Sequence, residues 1–231
     1  MGKPSLTVLF ITLNEGYHIG AAIDNVMDIA EEIYVVDSGS TDRTVAIAES
    51  KGAKVVYHKF EGFGAQWNFA LSLSIKSAWT MKMDPDERLS DALKDEIRRT
   101  LESIREVIGF EFDRVLWFMG RPMRGWKDRV LRVWRTGFCR FTEVSVNEHP
   151  LVAGRVLCLK GRMEHLDSKD LDHWIDKQNK YTTQAAAAKL SQMGYAVRPK
   201  FWRTRLARRM WFKRLFFRLP FRYGSSGLPN T

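Results

Sequence analysis

Cysteine is scarce in this chain. Only Cys139 and Cys158 occur, with no CxxC spacing, so neither a disulfide framework nor a cysteine-built zinc site is available. Long apolar runs are also missing: the chain has no stretch of eighteen uncharged apolar residues, and its N-terminus, MGKPSLTVLFITLNEG, follows a short apolar run with an acid instead of a small-residue cleavage site. That pattern reads as neither a transmembrane helix nor a signal peptide, and a reducing cytoplasm is the expected compartment. Glycine-rich phosphate loops are absent too. The turn TLNEGYHIG holds no GxGxxG, and GxxxxGK[ST] occurs nowhere, which excludes the dinucleotide fingerprint and the P-loop. A nucleotide would have to be held by side-chain carboxylates and a metal.

One segment lacks acids entirely. Between Arg198 and Arg222, RPKFWRTRLARRMWFKRLFFRLPFR carries ten Lys and Arg, while the remaining Lys and Arg equal the Asp and Glu in number. The net charge of +10 therefore resides in this tail. Phe201, Trp202, Trp211, Phe212, Phe216, Phe217 and Phe221 interleave with the cations. Basic and aromatic residues mixed in this way suit the interface of an anionic bilayer; they would also suit single-stranded nucleic acid, or a helix packed on the body with a solvated basic face. The apolar residues keep to no single helical stripe, so the membrane reading rests on composition. The last residues, YGSSGLPNT, are expected to be disordered.

What is present is alternation. LTVLFITL (6–13), EIYVVD (32–37), AKVVYH (53–58) and AWTMKMD (78–84) read as buried strands. HIGAAIDNVMDIA, STDRTVAIAESKG and GAQWNFALSLSIK between them have helical spacing, with Ser40 or Thr41 as caps before the second and Gly52 after it. Strand and helix in turn predict right-handed βαβ units and a mostly parallel sheet. After the charged helix LSDALKDEIRRTLESIRE the character changes. GFEFDRVLWFMG, DRVLRVWRTG, CRFTEVSVNEHP and GRVLCLKGRMEHL suggest antiparallel strands, followed by a long helix over about 169–193. No linker is long enough to separate two independent domains.

In an open parallel sheet, ligands bind at the carboxyl ends of the strands. Thr12, Asn14 and Glu15 follow the first strand, Asp37, Ser38, Gly39 and Ser40 the second, and Asp84 and Asp86 the fourth. Acids clustered at a strand end repel one another, so solvent, a cation or a bound metal must offset the cost. Helix capping is the other use for several of them: Asp37, Ser40 and Asp42 before the second helix, Asn14 and Glu15 before the first, Asp86 and Glu87 before the helix after Ser90.

FITLNEGYHIGAAIDNV, EEIYVVDSGSTDRTVAIAESKGAKVV, GFGAQWNFAL and MKMDPDERLS, taken in order, resemble the family 2 glycosyltransferases of the GT-A fold. The likeness is greatest to the bacterial enzymes that extend lipopolysaccharide core, capsule or exopolysaccharide chains, β-1,4-glucosyltransferases among them, and it continues more loosely through VNEHPLVAGRVLCLKGRMEHLD and LDHWIDKQNKYT. The resemblance implies a GT-A domain over residues 1–195. Its nucleotide-sugar half would be 1–95 and its acceptor half 96–195, with the basic aromatic tail at 196–223 and a disordered end at 224–231. It implies an inverting transfer of a hexose from a nucleotide-diphospho sugar, a UDP-sugar being expected, to a lipid-linked or lipopolysaccharide-core acceptor. The expected place is the cytoplasmic face of a bacterial inner membrane, held through residues 198–222, with no nucleic-acid partner.

By the family pattern Thr12 and Glu15 lie against the nucleoside, Asp37 contacts base or ribose, Gln66 and Asn68 lie near the donor, and Asp84 binds the ribose side. Asp86 would hold Mn2+ or Mg2+, with His165 as a further ligand. Glu148 is the expected general base and Asp128 the next candidate. Pro85 stands where the family commonly has a small residue; it stiffens the turn and removes one N–H. Arg129 and Arg132 are read onto one strand face, where they could hold phosphate or acceptor, or simply form ion pairs. The other class of function, a non-enzymatic binder of nucleic acid or anionic membrane on a degenerate scaffold, is supported by the tail and opposed by the carboxylates, which repel phosphate unless a metal is present.

Overall fold

The computed structural model describes residues 4–103, 106–123, 125, 128–142, 148–166 and 171–192. The four apolar runs form its parallel half. β1 (Leu6–Thr12), β2 (Glu32–Asp37), β3 (Lys54–Tyr57) and β4 (Trp79–Lys82) lie side by side in the order β3-β2-β1-β4. A parallel strand covered on both faces needs apolar residues at successive positions, and β1 is buried at all but Ile11. Leu6, Val8 and Phe10 enter one core with Ile19, Ala22, Ile23 and Val26 of α1 (Ile19–Val26) and Ala48 of α2 (Thr44–Ser50). Leu9 and Val36 enter a second core with Trp67 and Ala70 of α3 (Phe63–Ser72). Each fully buried Leu or Phe contributes about 1.5–3 kcal/mol, so this alternation along β1 holds helices to both faces of the sheet.

Register aligns the strand ends. Thr12 lies opposite Asp37, and Asp37 opposite Tyr57. Of the cap candidates before α2, Ser40 and Thr41 turn their hydroxyls to Asp37 and Asn14, and Asp42 takes the role, its Oδ1 accepting the Thr44 N–H at 2.9 Å. Ser90 leads into α4 (Asp91–Ser103), its Oγ accepting the Leu93 N–H at 3.3 Å, so neither Asp86 nor Glu87 is used there.

The second half continues the same sheet. β8 (Asp128–Arg135) pairs antiparallel with both β4 and β6 (Gly109–Phe118), and the short β7 (Arg121–Pro122) folds back on β6. β9 (Cys139–Phe141) and β10 (Pro150–Val152) form a separate antiparallel pair. Two features differ from the sequence reading. β11 (Val156–Leu166) runs parallel to β6, not antiparallel, and on its other side it pairs with β5 (Glu87–Leu89), three residues that read as a turn. α5 covers Leu171–Gln192. The tail 198–222 and the boundaries drawn at 195–196 and 223–224 lie outside the described residues. No described helix is long and apolar enough to cross a membrane.

The register of β11 slips between Cys158 and Arg162, and there the strand meets α4. Glu96 accepts the N–H groups of Lys160 and Gly161 at 2.9 and 2.8 Å. A Cβ on Gly161 would lie 2.4 Å from Leu93 Cα, so only glycine permits this approach. Gly161→Ala is expected to destabilise the protein by about 1–3 kcal/mol through overpacking, read as a lowered thermal midpoint; an unchanged midpoint would show that α4 does not rest on this point.

Candidate functional site

The carboxyl ends of β1, β2 and β4 converge on one edge, and each loop there is fixed by its own side chains. Asp37 is almost fully buried. Its Oδ1 accepts from Thr12 Oγ1 at 2.9 Å and from Ser40 Oγ at 2.5 Å, and its Oδ2 accepts from the Gly39 and Ser40 N–H groups at 2.9 and 2.8 Å. Gly39 has φ +97°, a backbone that glycine adopts without strain. Asn14 bridges the first two loops, donating its N–H to Ser40 Oγ and accepting from the Thr41 N–H, both at 2.8 Å. The Glu15 N–H donates to Thr44 Oγ1 at 2.8 Å.

Gln66 and Asn68 are also anchored within the protein. Gln66 is fully buried, donating to Ser38 Oγ at 3.0 Å and to the His58 carbonyl at 3.2 Å. Asn68 clamps β9: it donates to the Phe141 carbonyl at 3.1 Å and accepts the Phe141 N–H at 2.8 Å. Their amides thus hold α3 to the loop after β2 and to β9.

The acidic stretch is a tight turn. The Glu87 N–H donates to the Asp84 carbonyl at 3.0 Å, so Pro85 and Asp86 are the central pair of a β-turn. Proline at the first central position presets the backbone angle that such turns require, and the N–H it lacks is not needed there. Arg88 closes the turn from outside, donating to the carbonyls of Pro85 and Glu87 at 2.7 and 2.6 Å and to that of His18 at 3.0 Å.

Glu87 does not face outward with its neighbours. Its side chain is fully buried, accepts the Asp84 N–H at 2.9 Å, and meets Arg132 Nη2 in a very short contact, with Arg114 Nη1 at 3.3 Å. Arg132 Nη2 also reaches Asp84 Oδ2 at 3.0 Å. Burial favours an uncharged Arg132, but Glu87 and Asp84 outweigh it and hold the guanidinium above its ordinary range. Burial likewise opposes ionisation of Asp84, yet Lys82 and Arg132 prevail and hold its carboxyl below the usual carboxylate range. Arg129 is on the other face of β8, half exposed and paired with Asp113 at 3.4 Å. Positions three apart on a strand point to opposite faces, which corrects the reading that placed both arginines together.

The antiparallel pairing of β5 with β11 sets His165 opposite Glu87, and the Leu166 N–H donates to the Asp86 carbonyl at 2.7 Å. His165 Nε2 thereby comes to 3.1 Å from Asp86 Oδ2, with both side chains mostly buried. Burial works against a charged His165, but Asp86 beside it prevails and raises its pKa. As it stands the contact is a hydrogen-bonded ion pair; a divalent cation entering here would displace the imidazole proton, after which the carboxylate oxygen and the ring nitrogen could both face the ion. Among the described residues no three His, Cys, Asp or Glu gather into a metal cage. One carboxylate completed by substrate phosphates and water is the usual arrangement for Mg2+ and Mn2+, and the imidazole beside it favours a transition metal over Mg2+.

The two base candidates sit in different surroundings. Glu148 is largely buried and paired with Lys82 Nζ at 2.8 Å. Asp128, about half exposed, is paired with Arg114 Nη2 at 2.6 Å. Lys82 drew no attention in the sequence; its only signal was a charge within the buried run WTMKM, and its partner lies 66 residues away. Arg132→Met is expected to destabilise the fold by about 3–5 kcal/mol, because it strands the buried Glu87 charge. Urea unfolding checks this, and an unchanged midpoint would contradict it.

Comparison with known proteins extends the picture. The sequence model of the family described as Glycosyl transferase family 2 matches residues 7–110. An uncharacterized glycosyltransferase of Rickettsia conorii is 31% identical over 98% of this chain and 84% of its own length. The lipopolysaccharide core biosynthesis glycosyltransferase LpsC of Rhizobium meliloti is 31% identical over 94% of this chain and 82% of its own. Among solved structures, glucosyl-3-phosphoglycerate synthase from Mycobacterium tuberculosis, in complex with Mn2+, UDP and glucosyl-3-phosphoglycerate, aligns with a TM-score of 0.52 at 17% identity, covering 85% of this chain and 82% of that one. A mannosyltransferase from Pyrobaculum calidifontis, in complex with GDP-Man and Mn2+, gives 0.52 at 15% identity over 85% and 66%. At such identities the structural likeness speaks to the fold alone, which is that of the GT-A glycosyltransferases.

Proposed function

The chain belongs to glycosyl transferase family 2, and from that premise we propose that it is a metal-dependent, inverting hexosyltransferase. Its donor is a UDP-sugar, and its acceptor is a lipid-linked or lipopolysaccharide-core glycan of the bacterial cell surface. The observation that carries this reading is the meeting of Asp86 and His165, 79 residues apart in sequence and 3.1 Å apart in space, at the strand edge where Thr12, Asp37 and Asp84 also end. The relative named for lipopolysaccharide core biosynthesis supports the acceptor class.

In this reading Asp86 and His165 hold Mn2+ or Mg2+, which when bound supplies charge neutralisation to the departing diphosphate. Thr12, Glu15 and the loop braced by Asp37 line the nucleoside side, with Asp84 toward the ribose; Gln66 and Asn68 fix the donor-side loops. Glu148 takes the proton of the acceptor hydroxyl as its oxygen bonds to the anomeric carbon. The electron pair of the broken bond leaves with the diphosphate from the opposite side, which inverts the configuration. Work at the inner face of the plasma membrane, through residues 198–222, follows from the basic aromatic composition of that tail.

The test is turnover of UDP-glucose with Mn2+ and a lipopolysaccharide-core glycan as acceptor, read as UDP release, in wild type and Glu148→Gln. The substitution is expected to lower kcat by about 10²–10⁴-fold with the donor KM little changed. Wild-type turnover in Glu148→Gln would remove Glu148 from the reaction, and loss in Asp128→Asn instead would make Asp128 the base. A wild-type protein that turns over neither UDP-glucose nor another nucleotide sugar would overturn the transferase reading.

A further inference from the structure

Among the described residues Lys82 and Arg132 are the buried cations. Lys82 ends β4 two residues before Asp84, and its side chain is 6% exposed. Its ammonium lies 4.5 Å from the ring centre of Trp67 and 5.3 Å from that of Phe141. Those walls are fixed: Trp67 is fully buried, Phe141 stacks on it with ring centres 5.7 Å apart, Trp134 meets Phe141 edge-on at 5.7 Å, and Asn68 clamps the Phe141 backbone from both sides. An ammonium over aromatic faces in a desolvated place is attracted by both rings and has little room to move.

The group it holds is Glu148. The two are 2.8 Å apart, with the carboxylate side chain 14% exposed. The backbone beside Glu148 is tied as well: the His149 N–H donates to Thr142 Oγ1 at 3.0 Å, and the Thr142 N–H donates to the His149 carbonyl at 3.2 Å. The carboxylate is thus fixed by chain on one side and by a caged cation on the other. A strand residue whose position is set by the parallel sheet determines where a loop carboxylate sits.

We infer that Lys82 is a positioning residue for transfer, holding the Glu148 carboxylate at the point where it receives the acceptor proton. The inference rests on Glu148 being the base. Lys82 itself donates no proton in the step: the acceptor O–H proton passes to Glu148, and the lysine keeps its own three. The Lys82 charge also helps keep Asp84 ionised, but the direct contact to that carboxylate comes from Arg132 at 3.0 Å while the direct contact of Lys82 is to Glu148, so the larger effect of Lys82 is expected on the acceptor side.

A double-mutant cycle tests this, with Lys82→Met, Glu148→Gln and both together, assayed for UDP release from UDP-glucose with Mn2+ and a lipopolysaccharide-core glycan as acceptor. Methionine keeps an apolar stem between Trp67 and Phe141. Lys82→Met is expected to lower kcat by about 100-fold, the order of loss that a misplacement of about 1 Å brings, with the donor KM within about threefold. In the Glu148→Gln background the same change should cost less than about threefold, because groups acting as a unit are not additive. Lys82→Arg, which keeps a cation over the rings, should recover part of the lost rate. A crystal structure of Lys82→Met should show the Glu148 carboxylate displaced while Asp84 and Asp86 stay in place. Equal losses in both backgrounds, or an unmoved Glu148 in that crystal structure, would overturn the inference and assign Lys82 to the fold or the donor. If Glu148→Gln alone leaves turnover intact, the reading of Glu148 as base fails and this inference falls with it; if that variant is crippled and Lys82→Met is fully active, only this inference fails.

Discussion

The site depends on a buried ion pair. Glu87 is fully enclosed, and Arg132, reaching across from β8, meets it there while also holding Asp84. Without Arg132 the Glu87 carboxylate would be left in the core beneath the turn with the Asp84 N–H and the longer contact to Arg114. Breaking such a pair costs far more than forming an exposed one gains. The contrast within this chain is Lys54 with Glu32, where the lysine is more than half exposed and the pair contributes little. The Arg132 pair is a constraint on geometry: it draws Glu87 inward, and Glu87 then accepts the Asp84 N–H, so the turn is held from beneath while Arg88 closes it from outside.

Given that fixed turn, the rest of the edge is a matter of strand order. β11 runs beside β5 and delivers His165 to Asp86. β4 carries Lys82 and Asp84 onto the same strand end, one directed to the aromatic cage and Glu148, the other to Arg132. Charges of opposite sign therefore alternate here in two groups: Glu148 pairs with Lys82, and Asp84, Arg132, Glu87, Arg114 and Asp128 form a chain of contacts, with the Lys82 charge acting on Asp84 without a direct contact. Beside these charges lie Asp86 and His165, the pair proposed to hold a cation.

The parallel half was legible because its signal is local. Continuous apolar runs and helical spacing between them give β1 to β4 and α1 to α3 directly, and acids at the strand ends mark the edge. Asp86 and His165 were both reached from their place in family motifs, and the structure brings them together. Less visible was whatever depends on partners distant in sequence. β5 is three residues long and exists only because β11 lies beside it. The parallel run of β11 along β6 is set by chain path, which apolar pattern does not encode. Lys82 reads as an ordinary strand residue until Glu148 is seen next to it, and Arg132 separates from Arg129 only when the strand period is applied. The family resemblance places Gln66 and Asn68 near the donor, and the internal hydrogen bonds of their amides could be seen only in the fold.

In the proposed reading the turn at Asp84–Asp86, with His165, holds a cation for a nucleotide diphosphate. The most direct measurement is a calorimetric titration of UDP into the protein with Mn2+, repeated with excess chelator and on Asp86→Ala. Binding should require the metal and disappear in Asp86→Ala while that variant keeps its thermal midpoint. UDP binding that survives both chelator and substitution would contradict the claim.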